Sequence, residues 1–333
     1  MSDSAVFHWG EREAQGRAGF IERATAVSRM VRSSLPGGAA TFLTHQNLLV
    51  TGGQDDDGRP WASMFTGPRG FVSALDDETV QVLARLAPDD PVEPMTRREG
   101  RLGMLAIDLE TRIRLRMNGT ATPLRDGLRL TIEQSFPNCP KYIQKRSVTG
   151  WRNTEDQGSF GGTRTGALTG QMTDLIARAD TFFVATASDT GDPDVSHRGG
   201  DPGFVTLSSP TRLSWPDYAG NNMLMTLGNI IENPRTALLF VDWTDGTALH
   251  LTGHAAIHWP ETSTGTRSVS FEIEEAAHRP RALTATWSAP IMSRFNPPVA
   301  ARATPPTPPH RLEIDRSKGR VRWHAIGGPA GRR

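Results

Sequence analysis

The stretch Gly58-Arg-Pro-Trp-Ala-Ser-Met-Phe-Thr-Gly-Pro-Arg-Gly-Phe-Val72 returns 133 positions later as Gly191-Asp-Pro-Asp-Val-Ser-His-Arg-Gly-Gly-Asp-Pro-Gly-Phe-Val205. The identities are Gly58/Gly191, Pro60/Pro193, Ser63/Ser196, Gly67/Gly200, Gly70/Gly203, Phe71/Phe204 and Val72/Val205. A second block follows at an offset of 134, with Leu105/Leu239, Asp108/Asp242, Leu115/Leu249, Gly119/Gly253 and Ala121/Ala255. Two blocks in register imply a duplicated unit, and a duplication fixes architecture before any local propensity does. The copies part where charge matters: His197-Arg198 in the second stands where the first has Met64-Phe65.

Each copy reads as mainly β. In the first, short apolar runs at Phe42 to Val50, Trp61 to Phe65, Phe71 to Ala74, Val80 to Leu83, Gly103 to Asp108, Ile113 to Gly119 and Leu128 to Ile132 are separated by Gly, Pro and Asp. The second repeats the plan at Phe182 to Ala187, Asp194 to His197, Phe204 to Leu207, Arg212 to Trp215, Ala237 to Trp243 and Ala248 to Trp259. Apolar spacing predicts helices over residues 11–32, 171–179 and 222–232, the last stopping before Asn233-Pro234. The 333 residues suffice for two cores. The domains expected are residues 1–148, a Gly-rich linker or lid over 149–170, a second module over 171–296, and a Pro-rich segment with a terminal hairpin over 297–333.

The formal net charge is +1, with both signs interspersed, so nothing electrostatic points to nucleic acid or an anionic membrane. One cysteine, Cys139, rules out an internal disulfide framework and suits a reducing, cytoplasmic setting. The first ten residues do not read as a signal peptide, and no apolar run reaches the roughly 18 residues of a membrane span.

Several residues invite chemistry. In Ser196-His197-Arg198-Gly199-Gly200 the arginine offers a planar fork matched to phosphate, and the glycines allow close approach. A strand ending at Trp215 runs through a turn into a helix near Asn221, and a helix N-terminus is a natural anion site. Asn221 and Asn222 are expected to cap it. Lys141, Lys145 and Arg146 make the end of the first copy locally basic. Cys139 has no neighbouring group in sequence to activate it as a nucleophile. His250, His254 and His258 share one strand face, but at roughly 13 Å spacing they cannot converge on one metal ion.

The second copy resembles the pyridoxamine 5′-phosphate oxidase-like family of FMN-binding split β-barrels. The resemblance lies in Asp180 to Thr186, Asp194 to Val205, Pro216 to Asn221, Leu227-Gly-Asn229 and Asn233 to Phe240. The first copy, with Asn138-Cys-Pro-Lys-Tyr-Ile-Gln-Lys-Arg146, looks like the partner half of the two-module members. The fold implied is a tandem duplicated split β-barrel with flanking helices. The function implied is an FMN-dependent oxidoreductase acting on a small molecule, as a homodimer or an internal pseudo-dimer. The residues implied for FMN are Ser196, Arg198, Asp217, Tyr218, Asn221, Asn222 and Asn229, with Lys145 and Arg146 from the first copy. His197 is the candidate proton donor, because an imidazole changes charge near neutral pH, the alternative being a core-facing ring. Met64 and Phe65 leave the first copy's own site degenerate, so one flavin per chain is expected. The family's vitamin B6 enzyme has a basic Ser-Arg-Lys segment before its helix; Asn221-Asn222-Met223 is neutral, which argues against pyridoxamine 5′-phosphate as substrate. The alternatives are a non-catalytic flavin- or haem-binding sensor or carrier, and a deazaflavin-dependent reductase.

Overall fold

A computed structural model describes residues 6–152, 162–260, 265–299, 310–315 and 320–325. Helices α1 (Trp9–Ala18), α2 (Ile21–Ser28) and α3 (Ala39–Thr44) precede strands β1 (Leu48–Gln54), β2 (Pro60–Thr66), β3 (Val72–Ala74) and β4 (Thr79–Val82). Helix α4 (Glu93–Thr96) leads to β5 (Gly100–Asp108), β6 (Ile113–Leu124), β7 (Gly127–Pro137), β8 (Val148–Trp151) and β9 (Thr163–Thr165). The second half holds α5 (Gly170–Arg178), β10 (Thr181–Ala187), β11 (Pro193–Gly199), β12 (Thr206–Ser209), β13 (Arg212–Pro216) and α6 (Met225–Glu232). It ends with β14 (Arg235–Val241), β15 (Ala248–His258), β16 (Ser268–Arg279) and β17 (Ala285–Trp287).

The duplication is visible in strand order. One sheet runs β2-β1-β5-β6-β7-β4-β3 and the other β11-β10-β14-β15-β16-β13-β12, with β9 added beside β16. These orders are the same once each strand is matched to its counterpart. Registers agree too: Val50 faces Met64 across β1–β2 as Phe183 faces His197 across β10–β11. Even the irregularity recurs, a register shift at Asn118/Gly119 and again at Thr252/Gly253. The fold is therefore a tandem split β-barrel. The retained identities serve the backbone. Gly70 and Gly203 have φ of 92° and 91°, and a Cβ on Gly67 or Gly200 would lie 2.6 Å from the ring of Phe71 or Phe204.

Strands β1, β2, β10 and β14 are buried along almost their whole length instead of alternating. A strand reads this way when both its faces are covered. One face of each lines its own barrel: Leu49, Phe65 and Met104 in the first, Phe182, Phe240 and Phe271 in the second. The opposite faces meet each other. Val50, Ala62, Met64 and Leu105 pack with Phe183, Val195, Leu239 and Val241 in a third core belonging to both modules.

Three local expectations differ. The helix over 11–32 is two helices, broken at Gly19, whose φ of 69° is left-handed. Residues 39–44 are helical, and the strand begins only at Leu48. The third helix starts at Met225, not Asn222, because Asn222 and Leu224 both take left-handed φ, 64° and 56°. Of the 149–170 linker or lid, residues 153–161 lie outside the described residues; its ends form β8, which pairs with β17, and β9. By contact density the chain divides into residues 1–297 and 298–333. In the second unit β18 (His310–Asp315) and β19 (Arg320–Ala325) pair antiparallel, the terminal hairpin anticipated from sequence; its turn and the Pro-rich residues 300–309 lie outside the described residues.

Candidate functional site

The cleft that gathers most of the anticipated residues lies between the modules and spans about 790 Å³ of space, part of it open to solvent. The second module supplies Ser196, His197 and Arg198 from β11, the turn from Pro216 to Asn222, and the start of α6. The first supplies Arg114 and Arg116 from β6 and the segment Asn138 to Tyr142. The fit is close: a Cβ on Gly199 would fall 2.0 Å from the Tyr142 carbonyl oxygen. The chain's two tyrosines face one another here, one from each module, with ring centres 5.2 Å apart. The Tyr142 hydroxyl donates to the Ala219 carbonyl at 3.0 Å.

Positive charge dominates. Arg116 is buried; it donates to Asp194 at 2.9 Å, to Ser196 Oγ at 3.1 Å and to Asn138 Oδ1 at 3.0 Å. Arg198 donates to Asp217 at 3.2 Å, and Arg267 holds the other Asp217 oxygen at 2.9 Å. Arg114 is buried without a carboxylate partner among the described residues. Four guanidinium groups are thus set against two carboxylates. Burial, aggravated by Arg116 and Arg198, pushes Arg114 down to about 9. The Nε atoms of Arg114, Arg116 and Arg198 have no hydrogen-bond acceptor among the described residues. The start of α6 adds more donors: Leu224, at its N-cap, makes no side-chain cap, so the first backbone N–H groups stay free at the cleft wall.

The anticipated residues sort as follows. Ser196, His197, Arg198, Asp217, Tyr218, Asn221 and Asn222 all line the cleft. Asp217 is not a free ligand, because both oxygens are held by arginines and it orients Arg198 instead. Asn221 does not cap α6; its Oδ1 accepts from the Met223 N–H at 3.2 Å. His197 is 5% exposed, and neither ring nitrogen has a partner among the described residues. Burial first, then Arg114, Arg198 and Arg146, push its pKa well below the usual value, so the ring is uncharged at neutral pH. At this position His197 therefore does not change charge near neutral pH, contrary to the expectation for a proton donor.

Three residues fall elsewhere. Asn229 points to the far side of α6, donating to Thr186 Oγ1 at 3.0 Å and bonding His8 at 2.9 Å. Arg146 is buried against Asp180 at 2.7 Å and over the Trp243 ring. Lys145 pairs through its backbone with Ile291 and does not line the cleft. Conversely, sequence reasoning passed over Arg114 and Arg116. Their signal is the alternation Ile113-Arg-Leu-Arg-Met117, which puts two arginines on one face of a strand.

Known proteins similar to this chain match part of it. The family profile of pyridoxamine 5′-phosphate oxidase matches residues 168–295. That match spans the second module, and the first module repeats the second's strand order. Among solved structures, a provisionally assigned pyridoxamine 5′-phosphate oxidase from Lactobacillus delbrueckii is similar at 22% identity, covering 34% of this chain and 94% of its own, with a TM-score of 0.28. A FAD-binding protein from Mesorhizobium loti is similar at 14% identity over 36% of this chain and 98% of its own, with a TM-score of 0.27. A protein from Clostridium acetobutylicum related to general stress protein 26 matches at 15% identity over 33% and 86%, with a TM-score of 0.25. No curated protein matches the chain. No helix among the described residues is long and apolar enough to cross a membrane.

Proposed function

We propose that this chain is an FMN-dependent oxidoreductase acting on a small molecule, with one flavin held between its two modules. The observation that carries the reading is the excess of buried cationic groups in the cleft. A guanidinium without a counter-charge in a desolvated site is costly, and a phosphate supplies that charge with several acceptor oxygens. Arg114, Arg116, Arg198 and the free N–H groups of α6 would hold the phosphate, with Ser196 Oγ and Thr226 beside them. Asn221 and Asn222 lie at the lip, suited to phosphate or ribityl hydroxyls. Tyr142 and Tyr218 offer two aromatic surfaces to a flat ring. Asp217 locks the Arg198 fork in place.

A bound flavin supplies the electron transfer, while the protein binds, orients and shields it. His197, uncharged, can hold or accept a hydrogen bond but not serve as a cationic acid at neutral pH. Both halves of the cleft come from one chain, so a homodimer is not needed to complete it. The single cysteine suits a cytoplasmic setting.

One observation favours a second reading, a non-catalytic carrier: the cleft's histidine is uncharged, burial raises both its tyrosines, and its carboxylate is ion-paired. The absorption spectrum of the purified protein separates the cofactors, a flavin band for either flavin reading and a Soret band for haem. Titrating FMN and riboflavin while following flavin fluorescence tests the site itself. FMN should bind more tightly than riboflavin, and Arg114→Ala should weaken FMN roughly tenfold to a hundredfold, as loss of a charged hydrogen bond does, while leaving riboflavin almost unchanged. A chain that binds neither contradicts the proposal.

A further inference from the structure

The pseudo-twofold relation that builds the cationic cleft also builds a counterpart on the other side of the shared core. There β2 stands where β11 stood, and β15 where β6 stood. By register, Arg198, His197, Arg114 and Arg116 are replaced by Phe65, Met64, Ala248 and His250. Arg279, which occupies the place of Asn138, is ion-paired with Asp90 at 2.7 Å and Asp89 at 2.6 Å, its Nε alone lacking an acceptor among the described residues. Asp90 also accepts from Ser63 at 2.6 Å. The counterpart has therefore lost its excess positive charge, yet it has not filled in. About 850 Å³ of space remains, part of it open to solvent, walled by apolar Phe65, Leu239 and Ala248 and by polar Arg85, Thr284 and His250.

His250 is 1% exposed. Its Nδ1 lies 2.8 Å from the Ala62 carbonyl, which can only accept, so Nδ1 carries the proton. Burial lowers its pKa despite the pull of Asp90 and Asp89, with Arg279 adding to the lowering, so the ring is neutral. Nε2 is then a bare lone pair, buried and without a partner among the described residues. A buried acceptor left unsatisfied beside an open cavity of mixed polar and apolar lining calls for a donor.

We propose that this second cavity is a binding site for an uncharged small molecule that presents one N–H or O–H to His250 Nε2. The site is distinct in chemistry from the cationic cleft: it selects against phosphates and for a neutral hydrogen-bond donor. Its existence does not depend on flavin occupying the other side.

Indole and N-methylindole are suitable probes, since they share shape but only indole donates. Calorimetric titration of the full chain should show saturable indole binding, with N-methylindole weaker by about tenfold, the effect of one buried hydrogen bond. Ala248→Leu, which fills the cavity, should abolish indole binding, and Arg198→Ala should leave it intact. If Ala248→Leu fails to fold, Met64→Phe is the second filling variant, and the indole pair on the wild-type chain decides independently. No saturable indole binding, equal binding of the two probes, or loss with Arg198→Ala instead of the filling variants would overturn the proposal.

Discussion

Arg114 and His197 are neighbours that the same field acts on. Both are buried, both are shifted downward first by burial, and each is disfavoured as a cation by the arginines around it. For His197 the consequence for stability has a definite sign. The unfolded chain takes up a proton near pH 6.5 and the folded chain does not, so more protons are bound in the unfolded state and stability falls as pH drops below that value. The slope is up to about 1.4 kcal/mol per pH unit for one such group. His250 and His278 shift in the same direction and add to it. His197→Met, which installs the residue found at position 64, should flatten the acid side of a denaturant-unfolding series between about pH 7 and 5. An unchanged slope would show that His197 is protonated in the folded protein. The contrast of His197-Arg198 with Met64-Phe65 could be read from the two copies alone. Arg114 and Arg116 could not, because alternation gives them a common face but only the docking of the modules says that this face is buried.

At the scale of elements, α1 explains why Asn229 was misplaced. Gly10 and Gly228 allow α1 and α6 to cross closely, and a Cβ on Gly228 would lie 2.5 Å from Glu11. His8 then reaches both Asn229 and Glu232, which ties the residue to the helix crossing and away from the cleft. Nothing in residues 11–32 announces this partner, since helical periodicity reports an apolar face but not the helix it meets. Glu11 is sealed beneath the crossing, and burial, only partly offset by the His8 N–H, pushes it up to about 8. Here the sign is reversed. The folded protein keeps a proton that the unfolded chain loses above about pH 4.5, so stability declines between there and about pH 8. Glu11→Gln should remove a decline on the order of 3 kcal/mol across that window, measured as the difference in unfolding free energy between pH 5 and 8. A glutamine variant with the wild-type slope would place the charge elsewhere. Boundaries were lost for a related reason: Gly19, Asn222 and Leu224 adopt left-handed backbone where helical patterning continues through them.

Across the whole molecule, the duplication was legible from seven shared positions because those residues serve backbone geometry, which both copies need. What divides the copies is how they face each other, and the shared core makes the pair a single body. Leu105→Ala, in that core, should cost about 2–5 kcal/mol as a buried cavity does, and thermal unfolding should remain a single transition; two separated transitions would mean that the modules fold independently. The same docking makes the two inter-module cavities unequal. One gathers Arg114, Arg116 and Arg198, with Arg267 behind Asp217, against two carboxylates, while the other pairs its Arg279 with Asp89 and Asp90. The central claim is that only the first accepts a flavin phosphate. Titrating FMN into the purified chain, with Arg114→Ala and the exposed Arg69→Ala beside it, measures this most directly. The account predicts a stoichiometry of about one per chain, weakened binding in Arg114→Ala and wild-type binding in Arg69→Ala. Two flavins per chain, or equal behaviour of the two variants, would contradict it.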